Sequence, residues 1–251
     1  MTQDNRKIAL TLMYDGKDFC GWQVQKNAPS VQKAVQDSLE KVLGVRPDVS
    51  GCSRTDSGVH ANMYVCHLDA KYVKMPPEAL VRAFNANVTG KLSCYNAEYK
   101  DADFHARYSC SGKEYVYKIW NAKYRNPFLE DYSMFVPYNI DDTALSFIGE
   151  EFSGKHDFRA FMSQGSKITD DTVRTVEYFR TERHNELLEI YVKADGFLYN
   201  MVRIMVGTYL EGAKGRLHKG DITKIIESGE RKFAGDTARA CGLFLNKVFY
   251  D

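Results

Sequence analysis

The sequence predicts an α+β protein built as two ferredoxin-like, RRM-like halves whose antiparallel sheets adjoin around a central active-site cleft. Three observations carry this expectation. Runs of period two alternate with runs of helical spacing in the order strand, helix, strand, strand, helix, strand, and that order recurs in the second part of the chain. At 251 residues the chain can bury one sizeable core or two modest ones. No stretch rich in Pro, Gly or Ser separates the two passes, so the division is expected from element order alone, at 1–101 and 102–251.

Lys7 to Tyr14 is β-rich and closes on Asp15-Gly16, which reads as a strand ending in a tight turn. Ser30 is placed to cap a helix whose Val31, Ala34, Val35, Leu39 and Val42 share a face as far as Gly44. Strands are expected from Met63 to Asp69 and from Leu92 to Tyr99, with a helix opened by Pro76-Pro77 between them. In the second pass, strands are expected at Lys113 to Trp120, Val173 to Arg180, Leu187 to Ala194 and Leu243 to Tyr250. Helices are expected at Asp142 to Glu150, Phe197 to Leu210 and Asp221 to Ser228, the middle one apolar nearly all round and hence buried.

An apolar share of 44% and a charged share of 27% are those of an ordinary soluble globular protein. No apolar run reaches the roughly 18 residues of a membrane span. The opening Met-Thr-Gln-Asp-Asn-Arg-Lys also lacks a signal-peptide core, so the expected location is cytoplasmic. Six scattered cysteines form no Cys-x-x-Cys pair, which points to reduced thiols. The net charge of +1 conceals a partition: residues 1–130 stand at +4, 131–195 at −6 and 196–251 at +3. A basic cleft formed by the outer segments and a solvated charge mosaic both fit that partition.

Between apolar runs lies Gly51-Cys-Ser-Arg-Thr-Asp-Ser-Gly-Val-His-Ala61, which gathers Arg54, Asp56 and His60 in one polar turn. An Asp in such a turn caps its own backbone or is presented as an ionised nucleophile; the turn alone leaves both open. Arg203 sits in a run with hardly any polar face, so its charge pairs with Asp56, with Asp195 or Glu211, or reaches water. Tyr115 is a core aromatic or a stacking platform for a base. The histidines lack metal-ligand spacing, and no glycine-rich phosphate motif is present, so neither metal nor nucleotide cofactor is expected.

Eight motifs in order resemble the bacterial tRNA pseudouridine synthase A family. They are Tyr14-Asp15-Gly16 with Phe19 and Gly21-Trp22-Gln23-x-Gln25; Ser30-Val31-Gln32; Arg54-Thr55-Asp56-x-Gly58-Val59-His60-Ala61; Asp103-Phe104-His105-Ala106-Arg107; Tyr115-x-Tyr117; His156-Asp157-Phe158; Phe197-Leu198-Tyr199-Asn200-Met201-Val202-Arg203; and Gly242-Leu243-x-Leu245. The resemblance covers nearly the whole chain. It implies isomerisation of uridine to pseudouridine in the tRNA anticodon stem-loop, without a cofactor, by a homodimer. It also implies that Asp56 is the nucleophile paired with Arg203, that Tyr115 contacts the uridine, and that Arg54 and Leu245 belong to the substrate site. Ser53 and Ser57 stand where the family usually has Gly and Ala, and Glu114 stands where many relatives carry a basic residue. A tRNA-binding module without turnover and a hydrolase are the competing classes; the hydrolase would need a triad or metal cluster that the sequence does not offer.

Overall fold

Ten strands and five helices make up the α+β fold in a computed structural model, which describes residues 5–88, 90–163 and 171–251. The strands are β1 (Lys7–Tyr14), β2 (Ser50–Gly51), β3 (His60–Asp69), β4 (Leu92–Lys100), β5 (Cys110–Asn121), β6 (Met134–Val136), β7 (Gly154–Asp157), β8 (Val173–His184), β9 (Leu187–Ala194) and β10 (Leu243–Tyr250). The helices are α1 (Val31–Leu43), α2 (Pro77–Asn85), α3 (Ser146–Phe152), α4 (Met201–Ala213) and α5 (Asp221–Ser228). Two compact units divide the chain: residues 1–111 with 244–251, and residues 112–243. The boundary expected at 101/102 thus lies ten residues before the division at 111/112, and the last strand joins the first unit.

In the first unit the strand order is β4-β1-β3-β10, with β2 also paired to β3. Strand β1 is central because both its faces are apolar: Ile8, Leu10 and Leu12 are fully buried on one, and Ala9 and Thr11 nearly so on the other. It runs antiparallel to both neighbours, while β10 pairs in parallel with β3 through Phe244 opposite His60 and Leu245 opposite Ala61. Ser30 caps α1 as expected, its hydroxyl accepting from the Lys33 N–H, and Gly44 ends the helix in the left-handed conformation. Buried Ser38 then donates to the Phe84 carbonyl at 3.0 Å, which ties α1 to α2.

In the second unit β9 lies between β5 and β8, β7 extends β8, and β6 runs parallel to β5. Phe152, Phe158, Phe161 and Phe179 pack ring on ring at centroid distances of 5.1 to 6.1 Å. Two helix starts differ from expectation. The helix expected at Asp142 begins at Ser146, after a turn in which Asp141 Oδ1 accepts the Ala144 N–H at 3.0 Å and the Asp142 carboxylate meets Arg183 Nε at 2.6 Å. The helix expected at Phe197 begins at Met201, because Asn200 is left-handed. The short strands β2, β6 and β7, of two to four residues, carry too little pattern to be legible in sequence. All six cysteines are free thiols, and burial pushes Cys94 up to about 12. Among the described residues no helix is long and apolar enough to cross a membrane.

Candidate active site

Asp56 opens a tight turn: the Val59 N–H donates to the Asp56 carbonyl at 3.2 Å, and Gly58 has φ +77°. That bond, with positive φ at the third position, is the pattern of a type II turn. Residues 14–22 hold the turn from both sides. Thr55 is fixed twice, its carbonyl by the Trp22 N–H at 3.2 Å and its hydroxyl by the Tyr14 hydroxyl at 2.9 Å. Beyond Asp56, the Gly58 N–H donates to the Phe19 carbonyl at 3.2 Å. Gly21 permits this approach, since it adopts φ +88° and a Cβ there would sit 2.3 Å from the Thr55 carbonyl oxygen. Trp22 stacks on Tyr64 with ring centroids 4.1 Å apart, and the Tyr64 hydroxyl donates to the Ser53 carbonyl at 2.5 Å. The backbone from Ser53 to Val59 is thereby pinned, with Asp56 half-buried and Arg54 exposed.

The residue after the turn is scaffold. His60 Nδ1 accepts the Gly16 N–H at 3.0 Å, and its ring stacks on Phe244 at 4.6 Å. Asp15 Oδ1 also lies 3.2 Å from Nδ1. Because Gly16 donates to Nδ1, the neutral ring carries its proton on Nε2, so the Asp15 contact is not a hydrogen bond in that form. Leu245 is fully buried beside Ala61, one residue from the stacked pair.

The Asp103–Arg107 motif is also structural in part. The Ala106 N–H donates to His67 Nδ1 at 3.2 Å, and the Tyr250 hydroxyl donates to the Ala106 carbonyl at 2.7 Å. Burial, with His105 and Lys7 nearby, brings the His67 pKa down from 6.5 to about 4.

Tyr115 and Arg203 lie in the second unit. Tyr115 is 6% exposed, opposite Val192 in the register, and meets Phe197 edge-on at 5.1 Å. Its strand neighbour Glu114 is buried and accepts the Tyr178 hydroxyl. Burial and that acceptor push Tyr178 up to about 12. Arg203 Nε donates to the Ala238 carbonyl at 2.7 Å, and its Nη1 donates to Asn200 Oδ1 at 2.7 Å. Asp195 and Glu211 are engaged elsewhere: Asp195 accepts the Thr175 N–H at 3.0 Å, and Glu211 binds Lys214 at 2.8 Å and Arg216 at 2.6 Å.

Neither Asn200 nor Ala238 is among the site residues expected from sequence. Asn200 stands inside a quoted motif three residues before Arg203, which is the spacing of a helix-face pair. The Ala238 contact is through a backbone carbonyl 35 positions away, for which sequence carries no signal. Among the described residues no group of three or more His, Cys, Asp and Glu side chains is arranged to hold a metal ion. Chemically, the first unit presents a half-buried carboxylate on a turn whose backbone is bonded on both sides, and the second presents a guanidinium held at Nε by Ala238 and at Nη1 by Asn200.

A family model described as tRNA pseudouridine synthase matches residues 11–109 and 148–251. The tRNA pseudouridine synthase A of Ruminiclostridium cellulolyticum is 39% identical over 246 residues, covering 98% of this chain and 100% of that one. The proteins of the same description from Clostridium acetobutylicum and Acetivibrio thermocellus are each 38% identical over 245 residues, with 98% and 100% covered.

Proposed function

The chain belongs to the tRNA pseudouridine synthase family of isomerases, and from that premise we propose that it converts uridine to pseudouridine in the anticodon stem-loop of tRNA, at the positions conventionally numbered 38 to 40. Asp56 is the nucleophile and no cofactor takes part. The ribose C1′ bond to N1 of uracil is exchanged for one to C5; the C5 hydrogen leaves as a proton and N1 takes one up, so that the product is an isomer of the substrate. The target nucleotide must first leave the stack, at a cost of a few kcal/mol that the pocket offsets by stacking and hydrogen bonding. Tyr115 contacts the extruded base, Leu245 supplies apolar wall and Arg54 engages the flipped nucleotide. Arg203 favours the ionised Asp56 carboxylate against the desolvation that a closed site imposes.

The observation that carries this reading is the pinned Asp56 turn inside the matched family region: a carboxylate whose backbone is held on both sides is preorganised for attack. We extend the proposal to the architecture, in which two ferredoxin-like halves meet at a cleft and the enzyme works as a cytoplasmic homodimer. The first unit's strand order β4-β1-β3, with β2 on the far side of β3, supports the ferredoxin-like part.

The test uses tRNA transcript tritiated at uridine C5, incubated with the protein alone. The parent releases label, and Asp56→Asn lowers release by about 10⁴-fold or more while tRNA affinity stays within a few-fold. Retained turnover in Asp56→Asn removes Asp56 from the nucleophile role. Binding without release by the parent replaces the isomerase reading with that of a binding module.

A further inference from the structure

Asn200 is one of two non-glycine residues with positive φ among the described residues, at φ 61°, ψ 9°, and it stands immediately before α4. The left-handed region is disfavoured for L-residues, and Asn enters it where its side chain finds bonds there. An Asn before a helix ordinarily is extended and caps the first turn with its side chain. Asn200 makes no cap bond. Its Oδ1 instead accepts Arg203 Nη1–H at 2.7 Å, and its Nδ2 donates to Ser163 Oγ at 2.9 Å. A guanidinium only donates, so the amide oxygen must face Arg203 and the amide nitrogen Ser163. The Ser163 N–H closes the loop on the Tyr199 carbonyl at 3.1 Å.

The second hold on Arg203 is rigid as well. Ala238 donates its N–H to the Arg203 carbonyl at 3.1 Å and accepts Arg203 Nε–H at 2.7 Å. The Ala238 segment reaches α4 at Gly207, where a Cβ would sit 1.7 Å from the Asp236 carbonyl oxygen. There the Gly235 N–H donates to Thr208 Oγ1 at 2.9 Å. Nε is held by a backbone carbonyl, and the acceptor on Nη1 adds a hold nearer the end of the side chain.

We infer that Asn200 is a positioning residue, kept in the left-handed conformation because there its amide bridges Ser163 to Arg203 and holds the guanidinium at Nη1. Its consequence for turnover rests on the role proposed above for Arg203; its consequence for the guanidinium does not. A residue serving only to turn the backbone would be replaced by glycine without loss, since glycine adopts positive φ freely.

The deciding variant is therefore Asn200→Gly, which keeps the backbone turn and deletes the amide. Rotation about the partial double bond Arg203 Nε–Cζ, which exchanges its Nη groups and is read from their ¹⁵N resonances, is slower in the parent than in Asn200→Gly. The kcat for label release falls about 10²-fold, as displaced catalytic geometry does, and KM for tRNA stays within about twofold. Asn200→Asp, which retains an acceptor toward Arg203, restores slow rotation and recovers kcat to within about tenfold of the parent. Parent-like rotation in Asn200→Gly overturns the inference, and so does fast rotation in Asn200→Asp should Asn200→Gly fail to fold. Slow rotation in a parent that releases no label overturns the proposed function and leaves the rotation series to decide the inference on its own.

Discussion

The Asp56 turn and the start of α4 hold their functional groups by different means. Around Asp56 the fixed element is the backbone: Thr55, Gly58 and Ser53 are bonded by Trp22, Phe19 and Tyr64, so the carboxylate follows from where its main chain lies. At α4 the fixed element is the side chain itself, gripped at two nitrogens by Ala238 and Asn200. The difference follows from length. A carboxylate has two rotatable bonds from its Cα, so locking the main chain nearly locks the oxygens. A guanidinium has four or more and keeps its aim only if bonded near its end.

The comparison breaks most strongly at Gly21. Gly21→Ala puts a methyl group 2.3 Å from the Thr55 carbonyl oxygen at a φ of +88°. It should cost about 2–3 kcal/mol of stability and lower kcat by about 10²-fold, measured by denaturant unfolding and label release. Unaltered kcat in the folded variant would show that the turn tolerates a displaced backbone. A smaller effect, with no loss of kcat, is expected from a control in the second unit. Glu151 accepts the Gly220 N–H at 2.6 Å and the Thr223 N–H at 3.1 Å, capping α5 from α3. Glu151→Ala should cost about 1–2 kcal/mol; a matching fall in kcat would mean that general loosening, and not the grip on Arg203, governs turnover.

A pH dependence in the first unit leaves the site itself untouched. His67 titrates near 4 in the folded protein against 6.5 unfolded, so between those values the unfolded chain binds a proton that the folded chain refuses. Stability therefore rises with pH across that window, is complete above about 6.5 and is lost on acidification. The slope from this group is at most about 1.4 kcal/mol per pH unit. Urea titrations at pH 4.5 and 6.5 measure it, and His67→Asn, which keeps an acceptor toward Ala106, should remove it; an equal slope in that variant assigns the effect to other groups.

Much of the fold was readable along the chain. Strands β1, β4 and β9, the capped start of α1 and the whole of α5 lie within a residue or so of where period and capping chemistry place them. The start of α4 was not readable, because Phe197, Leu198 and Tyr199 are apolar in helix and loop alike; Phe197 is used against Tyr115. The later start of α3 was not readable either: Asp141 closes a turn ahead of it through the Ala144 N–H, and an Asp serves a turn or a first helical turn alike. The motif around Asp56 was visible as a turn. That Tyr14, Phe19 and Trp22 belong to the same turn was visible only as a set of shared motifs, with no hint of the bonds between them.

Local chemistry in the chain thus dictates which segments are strands, which residues cap helices and that a carboxylate stands in a tight turn, because each depends on neighbours a few positions away. Long-range pairing settles the rest. Whether β10 completes the first sheet, whether Asp195 is engaged away from Arg203, and why Asn200 accepts a left-handed backbone depend on partners 20 to 184 residues distant. Such contacts are chosen by the packing of whole elements, and a linear pattern carries no record of them.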